Sequence, residues 1–117
     1  MNPDQGLPPA CYLGALGEAR ERYQELRKLV GRSIAEVQEL PDGYALRLPS
    51  TAEVFSRTAE WISLEQRCCP FINFALDWRP PIDTLWLRLT GADGAKLVIA
   101  AALAVVPGPI GVEPTIM

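Results

Sequence analysis

Cysteine is scarce in this chain, yet two of its three cysteines are adjacent: Cys68 and Cys69, in the run Glu65-Gln66-Arg67-Cys68-Cys69-Pro70-Phe71. Pro70 disfavours helical geometry at the residue before it, so the pair sits where a helix must stop. Glu65 precedes the cysteines by three and four positions and follows Trp61 by four, which places it on their helix face. That face is otherwise apolar, so its carboxylate is either buried with a partner or set at the edge of a pocket. Burial would raise its pKa and an adjacent arginine would lower it. Arg47 and Arg88 are the expected partners if Glu65 serves in a structural ion pair.

Three chemistries are open to the thiols. The negative end of a helix dipole disfavours a thiolate, which argues against a nucleophilic or redox cysteine. A disulfide between neighbours closes a small strained ring and is easily reduced. Capture of a soft metal suits the pair better, because thiolates select soft ions and the ion itself displaces the protons. Cys11, the remaining cysteine, supplies a third thiolate if the N-terminal arm folds back. Three sulfurs suit mercury(II) or arsenite, and Glu65 adds a fourth ligand that zinc could use. Adjacent cysteines are nevertheless a poor zinc spacing. Cys11, Glu65, Cys68 and Cys69 are thus the candidate metal ligands. The competing reading treats the cysteines as small buried core residues. A third would use Glu65 as an acid or base and needs a cavity beside it. Binding is favoured over catalysis.

Composition narrows the field. The 117 residues include no histidine, which removes imidazole catalysis and histidine-ligated metal sites. The net charge is −3, and the basic residues are scattered or interleaved with glutamates, which argues against nucleic-acid binding. No signal-peptide pattern opens the sequence, and the longest apolar run, 97–106, is too short to span a bilayer. The expectation is a cytoplasmic, reduced protein without a disulfide framework or membrane association.

The elements that must position these residues follow from periodicity. Residues 1–10 read as a flexible arm. A helix is predicted over 18–30, with Ala19, Tyr23, Leu26, Leu29 and Val30 on one face and Gly31 as its stop. Strands over 34–40 and 44–48 flank a Pro41-Asp42-Gly43 turn, with Tyr44, Leu46 and Leu48 facing the core and Ala45 and Arg47 facing away. Ser50-Thr51-Ala52-Glu53 is a capping box that opens a helix over 51–68. Strands over 71–78 and 84–90 follow, the second with Leu85, Leu87 and Leu89 inward. Arg47, Asn73, Asp77, Trp86 and Arg88 share the opposite face of the sheet, read as an ordinary solvated face or one covered by the first helix, with an anion or partner surface as the alternative. A last helix over 95–106 is apolar nearly all round, so it is either deeply buried or covered by a partner, and a homodimer is the expected partner. Residues 107–117 read as a loose tail. The fold class is a single α+β domain: a four-stranded, mostly antiparallel sheet in α-ββ-α-ββ-α order, with helices mainly on one face.

The chain also resembles a family of small bacterial proteins. The resemblance rests on a cysteine before a charged helix (Cys11), LPDGYALRLP at 40–49, EWISLEQRCCPF at 60–71 and LWLRLTG at 85–91, and it covers most of the chain after residue 10. The CCPF stretch also looks like segments appended to mercury-responsive transcriptional regulators or encoded near metal-resistance genes. The resemblance implies that Cys11, Glu65, Cys68 and Cys69 form a site, and it implies no reaction. The missing charges at 100–106 depart from the family pattern.

Overall fold

The computed structural model describes residues 13–105. The expected arm, the expected tail and Cys11 lie outside these residues. A short 3-10 segment, Leu13–Ala19, leads into α1 (Arg20–Ser33). β1 (Glu36–Leu40) and β2 (Gly43–Leu48) form the first hairpin, and α2 (Ala52–Cys68) follows. β3 (Ile72–Arg79), a 3-10 turn over Pro80–Ile82, and β4 (Thr84–Gly91) form the second hairpin, and α3 is Ala95–Val105. The protein is α+β, with an antiparallel four-stranded sheet in the order β1-β2-β4-β3.

Strand alternation builds the inner face. Leu46 stands opposite Leu87, Leu48 opposite Leu85, and Tyr44 opposite Leu89, while Phe74 and Leu76 of β3 continue the same rows. Ala45 was expected to face away and does so, yet it is buried. β2 is a central strand, so its outer-face side chain is flanked by Gln38 on one neighbour and Arg88 on the other. Arg47 pairs with Glu36 at 3.0 Å, and Arg88 lies 3.5 Å from Asp77, both at the outer face.

α2 is held to the sheet by aromatic pairs. Phe55 stacks on Trp78 with ring centroids 4.9 Å apart, and Trp61 meets Phe74 edge-on at 6.1 Å. Helix order runs 55 to 61 while strand order runs 78 to 74, so α2 lies antiparallel to β3. The Thr51 side chain caps α2 by accepting a hydrogen bond from the Val54 amide at 3.1 Å, as the capping box requires. α1 packs on α2, and Arg22 bridges the two through Glu60. α1 runs past Gly31 to Ser33, since nothing forbids a buried glycine from remaining helical; the turn to extended geometry comes at Ile34.

α3 packs on β2 and β4. Ala95, Ile99 and Leu103 form its buried stripe at a spacing of four. It is not buried all round: Leu97 on the other side is 77% exposed. One apolar stripe is all that a helix lying on a sheet can bury, so the uniform apolarity of this sequence overstates its burial.

Candidate metal centre

The end of α2 is shaped by backbone geometry. Cys69 leaves the helix at φ −130°, ψ 65°, and its amide still donates to the Glu65 carbonyl at 2.7 Å. The Ile72 amide then donates to the Cys69 carbonyl at 3.2 Å, turning the chain into β3. This tight corner draws both cysteine side chains into the core, where Cys68 and Cys69 are each 0% exposed. The Cys68 thiol donates to the Glu65 carbonyl oxygen at 3.5 Å, and the two sulfurs are 3.8 Å apart.

Glu65 turns its carboxylate to the same place. One ligand atom each from Glu65, Cys68 and Cys69 lies within 4.8 Å of the others, all three residues being buried. The structure therefore brings together three of the four expected ligands; Cys11 lies outside the described residues. Cys69 is disulfide-bonded, which departs from the expectation of a fully reduced chain. The group can act as a thiolate set only after reduction of that bond.

Electrostatics at the site are dominated by burial. Glu65 is pushed above the ordinary carboxylate value by desolvation, against the opposing pull of hydrogen bonding with Tyr23 and the charge of Arg27. The Cys68 thiol is pushed up to about 11, by burial first and by the Glu65 charge second. Tyr23 is raised as well, again mainly by burial and then by hydrogen bonding to Glu65. The unliganded group therefore favours its protonated, uncharged forms. A thiol of this kind is a poor nucleophile, in keeping with its place at a helix C-terminus.

Arg47 and Arg88, the expected ion-pair partners of Glu65, are not at the site. They belong to the outer face of the sheet, while α2 lies over the inner face, and side-chain alternation makes the two mutually exclusive. The residues that influence Glu65 come instead from α1: Tyr23 and, one turn later, Arg27. Their i, i+4 spacing was a usable signal, because Tyr23 is on the helix face that must pack inward.

Glu65 also forms part of the wall of a pocket of about 230 Å³ between the three helices and the inner face of the sheet. Trp61, Tyr23 and Arg27 share that wall, which is otherwise apolar. No protein-family model matches this sequence, and neither the curated proteins nor the solved structures contain a significant match. No helix among the described residues is long and apolar enough to cross a membrane.

Proposed function

We propose that this protein, with its cysteines reduced, binds a soft metal or metalloid ion through Cys68, Cys69 and Glu65, as a sensing or sequestering protein. The observation that supports this reading is the convergence of the three ligand atoms within 4.8 Å in a buried setting. With metal–sulfur bonds of about 2.3 Å, sulfurs 3.8 Å apart subtend an angle of about 110° at a shared ion. A linear two-coordinate ion would hold its sulfurs about 4.6 Å apart at that bond length. The spacing therefore favours a bent site, such as pyramidal arsenite or tetrahedral zinc, over two-coordinate mercury. Cys11 is proposed as the further thiolate that completes the set.

A second reading is favoured by a specific observation: both cysteines are fully inaccessible within the hydrophobic core. On that reading they only fill space, and the exposed apolar side of α3 serves association with another copy. One experiment separates the two. The reduced protein is titrated with arsenite and, separately, with zinc, and followed by native mass spectrometry and thiol counting. The metal reading expects a one-to-one adduct with loss of reactive thiols, and loss of that adduct in Cys68→Ser/Cys69→Ser. A reduced parent that takes neither ion, or a folded double variant that binds as well as the parent, refutes it.

A further inference from the structure

The pocket beside Glu65 has features that a metal site does not need. Its volume of about 230 Å³ exceeds the roughly 150 Å³ of an engineered apolar cavity that admits benzene, so it has room for a ring and a short chain. Its walls are largely apolar, with Phe74 and Leu89 from the sheet and Val98 and Ile99 from α3. Tyr23, Glu65, Arg27 and Trp61 interrupt this background, and the last two offer N–H donors. Arg27 is half-buried and enters no ion pair among the described residues; its guanidinium donates to the Ala102 carbonyl at a long 3.4 Å across the seam between α1 and α3. Trp61 is only 8% exposed, and its indole N–H has no hydrogen-bond partner among the described residues.

An apolar chamber with a few converging polar groups is the usual form of a small-molecule site. A guanidinium in the wall of an apolar chamber favours an anionic head, and it matches a carboxylate in both charge and planar geometry. We propose that the pocket binds a small monocarboxylic acid bearing an apolar ring or short chain, with the carboxylate on Arg27 and the apolar body between the sheet and α3. The indole N–H of Trp61 is a second donor available to such a guest.

The test uses the full chain and 4-phenylbutyrate, with 4-phenylbutanol as the uncharged control and no metal added, so its failure would leave the metal reading standing. The readout is the indole N–H signal of Trp61 in a nitrogen-15 NMR titration. Binding of the acid should move that signal saturably. Arg27→Gln should weaken the acid by about tenfold or more while leaving the alcohol unchanged. Ala102→Trp, at a half-buried position on α3, should block both; Val98→Phe serves the same purpose if that variant does not fold. An unmoved Trp61 signal at saturating acid, undiminished acid binding by Arg27→Gln, or binding by a folded pocket-filled variant would each overturn the proposal.

Discussion

Replacing Glu65 by glutamine should stabilise the protein at neutral pH and flatten its stability profile. Glu65 is only 6% exposed, and its folded pKa is raised above the ordinary value of 4.5 chiefly by desolvation. For a group raised on folding, the sign is fixed. Its contribution is fully present below pH 4.5 and is lost as pH rises through the folded value. Within that window the unfolded chain has released the proton and the folded chain retains it. Folding stability should therefore fall with a limiting slope of about 1.4 kcal/mol per pH unit for this one proton. The carboxylates with the opposite shift do not obscure it. Glu36, Glu60 and Asp77 are held below their ordinary values by Arg47, Arg22 and Arg79 respectively, so their contributions are lost at lower pH. Urea unfolding of parent and Glu65→Gln, followed by tryptophan fluorescence between pH 5 and pH 8 under matched redox conditions, measures the difference. The gap should widen with pH, in favour of glutamine, up to the folded pKa. Parallel profiles over that range would refute the assignment of a protonated, desolvated Glu65.

Two further substitutions test the frame around the site. A Cβ on Gly43 would come within 1.9 Å of the Leu89 carbonyl oxygen, so Gly43→Ala must push β2 from β4 and should cost roughly 2–3 kcal/mol in chemical denaturation. Thr58 is buried in α2 with a hydroxyl that lacks a hydrogen-bond partner among the described residues, so Thr58→Val should raise stability by about 1 kcal/mol, read as a higher melting temperature.

The fold was legible because local signals agreed with one another. The capping box at Thr51, the Pro41-Asp42-Gly43 turn and the alternating leucines of β4 each named an element and its inward face, and these are the signals a sheet covered on one side must carry. Helical spacing also placed Glu65 with Cys68 and Cys69. The surroundings of Glu65 were harder to read, because they depend on which helix crosses α2. Arg27 reaches the site through the packing of α1 on α2, a contact between residues far apart in sequence. The apolar run of α3 was ambiguous for a related reason: its composition does not reveal that Ile99 and Leu103 pack inward while Leu97 stays exposed.

The site also shows how one structural cause can produce two opposite-looking properties. Pro70 ends the helix, the turn at Cys69 directs both sulfurs inward, and the core then removes them from water. Loss of hydration suppresses the thiolate at Cys68 and the carboxylate at Glu65 together. A nucleophile needs the reverse, a thiolate stabilised before the reactant arrives. A soft cation does not, because it brings the charge that desolvation withholds and replaces the protons it expels. Close approach of the ligand atoms makes their ionisation without a cation more costly, and makes coordination of a shared ion geometrically accessible. The features that argue against catalysis by this cysteine pair are therefore those that support metal capture.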